Sequence, residues 1–363
     1  MVRVRRIAVA ALTVLLVAAC ASAQGPSAIA TTPQPAASPP TPADALARWI
    51  DLQTANVLGR FRYIRNSDQV VTNQQLQDSV GLRARLKLDR AARVSVIVAA
   101  ATGTSFTGSW NNTGIGTGDP VHAFSVKQLY LAVVPARNVE VLYGGLAPIR
   151  GESTEITSYD NDAYLVGERV SVRRPKDWFL DEISGTAGFL GDLETPNVFR
   201  RLDRLNEVNY GQILASKKAR SWLTASADVT RVSRVSTVRA AAAIAVKDSV
   251  ALDTVRYEQY ARRGDHAAFG LAVTAEKVLA SRFTVGMGYA SIDPQFGRLN
   301  GDRYGPGRRV FETGTIRISP AMSLALFATQ AFQNDFAVNN HRRVDVVFTY
   351  NALATLKHAG LIR

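Results

Sequence analysis

The alternation of apolar and polar residues predicts an all-β fold, and more narrowly a transmembrane antiparallel β-barrel. Residues 80–89 show the pattern most clearly, with apolar side chains at even positions and Arg83, Arg85 and Lys87 at odd positions. Successive side chains of a strand point to opposite faces, so this strand has an apolar face and a cationic face. A soluble sheet would turn the cationic face to water. A barrel would turn the apolar face to lipid and the polar face to its lumen.

The number of such strands is the second observation that favours a barrel. From Leu58 onward, strand patterns follow one another without an intervening helical period. We count about 16 strands, with roughly 14 or 18 as alternatives, because bacterial single-chain barrels have an even number. The predicted strands are 58–66, 80–89, 92–101, 124–134, 138–145, 164–173, 179–189, 206–217, 219–229, 234–247, 251–262, 267–277, 281–291, 308–318, 322–332 and 342–352.

The connections between these strands alternate in length. Outer-membrane barrels have short turns in the periplasm and long loops outside, whereas a soluble sandwich has no reason for such asymmetry. We therefore expect the long connections to be external and both termini to be periplasmic. The long connections are 67–79, 102–123, 146–163, 190–205 and 292–307, and the short turns include 90–91, 135–137, 278–280 and 319–321.

The N-terminus has the features of a secretory signal, which we place at residues 1–23. Three arginines precede an apolar stretch over 7–19, and Ala21-Ser22-Ala23 offers a cleavage site of the A-x-A type. An alternative is that residues 17–20 form a lipobox, which would leave Cys20 lipidated at the mature N-terminus. Cys20 is the only cysteine, so an intrachain disulfide is excluded.

The next segment, 24–57, is a Pro/Ala-rich linker followed by a short stretch of different character. We expect a short periplasmic amphipathic helix over 43–57, although Trp49 could instead begin the first strand. Residues 58–363 are then the outer-membrane barrel.

A formal net charge of +13 suggests anionic partners. Export makes nucleic acid an implausible partner, so we expect outer-membrane lipid, lipopolysaccharide and small anionic solutes, with a homo-oligomer left open. The sequence indicates no cofactor and no metal site.

A family resemblance is carried by five segments of the chain, residues 48–53, 59–63, 82–87, 108–112 and 144–164. They resemble bacterial porin-like outer-membrane proteins, and the last of them is similar to alginate-export-type barrels. The resemblance covers residue 46 to about residue 175 and implies passive or solute-selective diffusion without naming a substrate. One departure is that the chain continues past Tyr350 to Arg363, whereas many such barrels end on an aromatic residue.

Basic residues on the polar faces are the main candidates for function. Arg83, Arg85 and Lys87 form a ladder, and Arg60, Arg62 and Arg65 lie on the preceding strand, where Arg60 and Arg62 share a face. Rings of basic side chains attract anions in a pore, so this set predicts anion selectivity. The alternative is a generic polar lumen wall in which acids neutralise these charges. Further candidates for the same basic wall are Arg169 and Arg173.

The loop 190–205 carries a second basic group, Arg200, Arg201 and Arg204. It could fold inward as a constriction, or it could face the phosphates of lipopolysaccharide. Residues 114–118 contain three glycines but lack the spacing of a nucleotide-binding loop, so we expect a flexible external loop.

We therefore expect a non-enzymatic, anion-biased channel in the outer membrane of a Gram-negative cell. One rival is a barrel hydrolase using His122 or His266, since Asp265 next to His266 suggests an oriented base. A second rival is a structural or adhesive barrel with a closed lumen. Residues 160–162 could hold calcium, but three adjacent residues cannot supply all of its ligands.

Overall fold

The protein folds into a closed antiparallel β-barrel of 16 strands, as the sequence predicts. The computed structural model describes residues 48–105, 108–153, 165–174, 178–191, 195–246, 249–293, 295, 307–332 and 341–359. The strands are β1 Ile50–Arg65, β2 Val71–Lys87, β3 Val94–Thr102, β4 Asn111–Gly116, β5 Phe124–Ala136, β6 Val139–Leu146, β7 Leu165–Arg173, β8 Glu182–Phe189, β9 Tyr210–Arg220, β10 Leu223–Val232, β11 Val235–Ala245, β12 Thr254–Arg263, β13 Ala268–Ala280, β14 Phe283–Ile292, β15 Gly307–Arg317, β16 Met322–Ala331 and β17 Arg342–Asn351.

The barrel closes because β1 pairs with both β2 and β17. Every other wall strand pairs with its neighbours along the chain, except that β3 pairs directly with β5. The short strand β4 lies outside this ring and pairs with the first half of β2, at Gln75 to Asp78. Each of the 16 predicted strands corresponds to one wall strand.

Burial along the strands differs from that in a soluble protein. The polar side chains of Gln128 and Glu258 are 0% exposed, whereas Met287 is 67% and Ile213 62% exposed. Polar residues share the interior with two apolar clusters, and exposed apolar residues form the outer surface, as in barrels that face lipid. No helix in the described part of the chain is long and apolar enough to span a membrane.

The longest connections all leave the same end of the barrel, which we call the loop end; the opposite end is the turn end. The β3–β5, β6–β7, β8–β9 and β14–β15 connections belong to the loop end. Residues 137–138, 221–222 and 281–282 are tight turns at the turn end, where β1 also begins and β17 also ends.

The first hairpin differs from the prediction in two ways. The helix expected over 43–57 is wrong from Ile50 onward, because β1 begins there and pairs with β2. The barrel boundary therefore falls at Ile50 rather than at residue 58. The connection predicted over 67–79 shrinks to residues 66–70, since Ile64 already pairs with Asn73.

The glycine-rich segment 114–118 is also more ordered than expected. Its first part belongs to β4, which adds to β2 where that strand extends beyond β3. Gly116 has a φ of +95°, and a Cβ there would lie 2.0 Å from the carbonyl oxygen of Gln74. Only glycine fits this close approach.

The chain that continues past the last strand forms a short helix, α1 Ala352–His358. The side chain of Asn351 caps it by accepting a hydrogen bond of 3.0 Å from the backbone N–H of Ala354. Leu353 is buried, so the chain after β17 is held against the turn end of the barrel.

Two aspartate clamps of identical design join strands at the turn end. Asp181 precedes β8 and accepts hydrogen bonds from the Nζ of Lys217 at 2.9 Å and the backbone N–H of Lys218 at 2.7 Å. Asp253 precedes β12 and accepts from the Nζ of Lys277 at 2.7 Å and from the next backbone N–H at 2.8 Å. These hydrogen bonds lower the pKa of both carboxyl groups. The largest effect on the pKa of Asp181 comes from the backbone N–H of Lys218. The largest effect on the pKa of Asp253 comes from the side chain of Lys277.

Candidate functional site in the barrel lumen

The basic ladder lies on the lumen side of β2. Val80 and Leu82 alternate with it and are exposed on the outer surface, so Arg83 and Arg85 point inward. Among the described residues, the guanidinium of Arg83 donates hydrogen bonds to neutral oxygens only: Gln53 and Gln128 at 2.9 Å each and the hydroxyl of Tyr130 at 2.5 Å. Its positive charge is therefore held in place without being neutralised.

Arg85 faces Asp51 on the neighbouring strand β1. Their charged atoms are more than 4.0 Å apart, so the two side chains do not form an ion pair. The Nε of Arg85 has no hydrogen-bond partner among the described residues.

Nearer the loop end, one carboxylate serves three arginines. Asp345 of β17 binds Arg62 through two bonds of 2.9 Å and Arg343 through bonds of 2.5 and 2.9 Å. Arg60 lies 4.0 Å from the same carboxylate. Asp345 is thus the shared partner of three arginines among the described contacts of this part of the wall.

Arg60 is further fixed by neutral partners. It donates a 2.8 Å hydrogen bond from Nε to the side-chain oxygen of Gln77, and its Nη2 contacts the same atom. Its guanidinium stacks 3.9 Å from the ring centre of Trp110, which belongs to the β3–β5 connection. Arg60 and Arg62 lie on β1, next to the strand that carries the ladder. At the usual rise per residue of a strand, they are about 20 Å or more from Arg83 along the wall.

Arg309 and Arg343 belong to the same wall and were missed by the sequence analysis. Each is the second residue of an arginine doublet, 308–309 and 342–343, and each is almost fully buried. Only the register of the strand decides which member of a doublet faces the lumen. We call the lumen faces of β15, β17, β1 and β2, with their arginines and Lys87, the basic wall.

A different arrangement lies across the lumen, where one arginine serves two carboxylates. Arg239 of β11 is 2.6 Å from Asp228 of β10 and 3.2 Å from Glu258 of β12. In the ring of 16 wall strands, β10 lies eight positions from β1, β11 seven and β12 six. We call the lumen faces of β9–β12 the paired wall, since Arg239 lies between two carboxylates and Arg256 and Arg262 of β12 each form an ion pair with a nearby carboxylate.

The start of the β6–β7 connection lies against the paired wall. Residues 147–153, the inner segment, bond to inward-facing side chains of three strands. The Nε2 of Gln212 donates to the carbonyl of Ile149 at 3.1 Å, and the Oγ of Ser153 donates to Glu258 at 3.2 Å. A Cβ on Gly151 would lie 2.3 Å from the Cβ of Ser226. The inner segment thus occupies part of the lumen opposite the basic wall.

Arg169 and Arg173 lie on β7 and are not brought together with the ladder. Arg169 donates to the Oγ1 of Thr186 at 2.9 Å and contacts the carbonyl of Ala147, so it holds the root of the inner segment. Arg173 forms ion pairs with Glu140 at 3.2 Å and Glu182 at 3.3 Å. Its charge is compensated locally, and it does not extend the basic wall.

The arginines of the β8–β9 connection are not brought to the basic wall either. Arg200 and Arg204 are exposed, and Arg204 pairs with Glu207 at 2.6 Å. Arg201 is buried and donates to the carbonyl of Thr195 at 3.0 Å. The segment that reaches the inward-facing residues of the paired wall is the inner segment, not this one.

The remaining candidates have no assembled chemistry. His122 and His266 are exposed, and Asp265 pairs with Arg262 at 3.0 Å. Within the described residues, no group of three or more His, Cys, Asp or Glu could hold a metal ion. Cys20 and residues 160–162 lie outside the described part of the chain.

Solved porins have the same fold. A Salmonella typhi OmpF structure with daunomycin matches with a TM-score of 0.54 and 11% identity, over 83% of this chain and 97% of that one. Pseudomonas putida OprB at low pH matches with a TM-score of 0.52 and 10% identity, over 85% and 94%. A mutant of the Rh. blastica porin matches with a TM-score of 0.51 and 12% identity, over 83% and 99%. At these identities the likeness establishes a porin-type barrel fold.

No protein-family profile matches the sequence, and no curated protein matches it significantly. The narrower resemblance to alginate-export-type barrels is not confirmed by the solved structures and stays a prediction.

Proposed function

We propose that this chain is a channel in the outer membrane of a Gram-negative cell, through which small solutes diffuse passively with a bias toward anions. The basic wall is the observation that carries this proposal. Asp345 is shared among three arginines, and Arg83 is held by neutral oxygens alone. A lumen surface of this kind raises the local concentration of anions and lowers that of cations.

The outer surface supports a membrane location on energetic grounds. Turning Arg83 or Arg85 toward hydrocarbon would cost about 2–4 kcal/mol for each at the bilayer midplane. The strand therefore has one stable orientation in a membrane, with Val80 and Leu82 in lipid and the arginines in the lumen. We propose that the loop end is external and the turn end periplasmic, as the connection lengths suggest.

The inner segment supports a restricted passage rather than an open tube. It rests on the paired wall and leaves the basic wall as the opposite boundary of the remaining lumen. A solute would then pass within a short distance of the arginines. That distance matters because salt screens a charge over about 8–10 Å at physiological ionic strength.

The test is the reversal potential of refolded protein in planar bilayers under a salt gradient. We expect anion preference in the unmodified protein and a shift toward cations in the double variant Arg83→Glu, Arg85→Glu. The shift should shrink as the salt concentration rises, because screening weakens the interaction. An unchanged reversal potential in a folded, conducting double variant would show that the basic wall does not determine ion selectivity.

A matched control uses charges outside the lumen. Arg231 and Arg263 lie at the loop end on outward-facing positions of β10 and β12. The double variant Arg231→Glu, Arg263→Glu changes the net charge equally, and we expect it to keep the original reversal potential. A closed, structural barrel is the rival function, and it predicts no conductance from any of these proteins.

A further inference from the structure

Two arginines lie directly opposite each other on the outer surface of the barrel. Arg65 ends β1, Arg342 begins β17, and the two are register partners at the loop end. Arg342 alternates with Arg343, which binds Asp345 in the lumen, so Arg342 points outward and is exposed. Like charges directly opposite each other on adjacent strands destabilise a sheet. A bound anion between the two guanidinium groups would remove this repulsion.

The protein supplies little compensation at this point. Among the described residues, no carboxylate lies within 4.0 Å of Arg65 or Arg342. Arg65 donates from Nη1 to the side chain of Gln69 at 3.2 Å, and its guanidinium lies 6.0 Å from the ring of Tyr63. Its Nε has no partner among the described residues. The side chain is thus held against the wall while its charge is left available.

A third outward arginine lies nearby at the same end. Arg308 alternates with the buried Arg309 and is exposed at the start of β15. One strand, β16, separates it from Arg342, and Arg308 lies beside Phe332 on that strand whereas Arg342 lies beside Gln330. With this stagger, the two backbone positions are about 12 Å apart at the usual strand spacing and rise.

Between these arginines and the turn end, the outer surface of the barrel is apolar and exposed. Its side chains belong to β1, β16 and β17, directly in line with the arginines. A molecule that binds here therefore needs anionic groups at one end and hydrocarbon at the other. The exposed apolar residues are Phe61, Leu324, Leu326 and Phe348.

We propose that Arg65, Arg342 and Arg308 bind the phosphate groups of a bisphosphorylated, acylated glycolipid, the chemistry of lipid A in lipopolysaccharide. The inference rests on the proposed location in the outer membrane with the loop end external. Arg65 and Arg342 together hold one phosphate through charge-assisted hydrogen bonds, and Arg308 holds the second. The acyl chains lie along the apolar surface below.

The test is binding of purified lipid A to the refolded full-length protein in detergent micelles, read by native mass spectrometry. The variant Arg65→Gln, Arg342→Gln should lose at least about tenfold in affinity, because both guanidinium donors to one phosphate are removed. The control variant Arg231→Gln, Arg263→Gln removes the same charge at the same end of the barrel. It should change the affinity by less than about twofold, because its arginines are not register partners.

Equal losses in the two variants would overturn the proposal, because binding would then follow overall charge rather than this site. If the protein bound phosphatidylglycerol as tightly as lipid A, the assignment to lipid A would be overturned. If inorganic phosphate displaced the bound lipid A, the assignment to a lipid would be overturned. Heat-modifiable gel migration checks that each variant is folded. Conductance in planar bilayers is expected to be unchanged in both variants, so a failure of this site is distinguishable from a failure of the channel proposal.

Discussion

The basic wall and the paired wall use the same residue types in opposite proportions. On the basic wall, Asp345 lies among Arg60, Arg62 and Arg343, whereas on the paired wall Arg239 lies between two carboxylates. The paired wall also carries the inner segment, whereas the β3–β5 connection reaches the basic wall through Trp110, which stacks on Arg60. The two walls therefore differ in the proportion of acid to base rather than in the presence of arginine, and on this difference rests our proposal that the basic wall acts on solutes.

Removing the shared carboxylate should have the largest effect on stability. In Asp345→Asn, three arginines lose their counter-charge at once, and breaking a buried ion pair on one side costs about 3–5 kcal/mol. In Asp228→Asn, Arg239 keeps Glu258, so we expect a smaller loss of about 1.5–3 kcal/mol. Urea unfolding of protein refolded into lipid vesicles measures both. Equal losses would mean that the two walls do not differ as described.

Displacing the inner segment should have an intermediate effect. Gly151→Ala places a methyl group where Ser226 already lies, and overpacking of this kind costs about 1–3 kcal/mol. We also expect its single-channel conductance to change, because the segment must move away from the paired wall. Adding Ser226→Gly should restore both stability and conductance. Gly185→Ala is the control, since a Cβ there meets nothing within 4 Å; a loss from this variant would contradict the explanation by contact.

The aspartate clamps flank the paired wall and should give the smallest effect. The pKa of Asp181 is lowered in the folded protein, so its contribution is present above the unfolded pKa near 4 and is lost as the pH falls through the folded value. Lys217→Met should therefore reduce the urea midpoint at pH 6 and much less at pH 3. Lys218→Met is the control, because Lys218 donates its backbone N–H, which the variant keeps. A loss at pH 6 that persisted undiminished at pH 3 would exclude the ion pair as its cause.

The wall strands were predictable because one face of each meets lipid and the other meets the lumen. That constraint makes alternation strict, so β12 to β17 fall within a few residues of their predicted positions. The start of β1 was not predictable in the same way, since residues 50–57 are defined by pairing with β2 rather than by their own pattern. The pairing partner becomes known only once the hairpin has formed.

The candidate site was predictable in part. The ladder follows from alternation within one strand, whereas Arg343 stands next to Arg342 and alternation alone assigns neither to the lumen. Asp345 could be recognised as a partner of Arg62 only from the closure of the ring, which joins residues far apart in sequence. The inner segment lies in the lumen because of contacts with β9–β12, and no local pattern in 147–153 reports them.

The arginine doublets have a consequence for how the barrel assembles. If β17 paired with its neighbours one residue out of register, Arg342 would take the place of Arg343, and an arginine would still face the lumen. The arginines at this end of the strand therefore do not distinguish the correct pairing from the shifted one. The distinction comes from Asp345, which a shift would turn out of the lumen and away from Arg62, and from Val344, Val346 and Phe348, which it would turn away from lipid. The register of the last strand is thus specified by one carboxylate and an apolar face, not by its arginines.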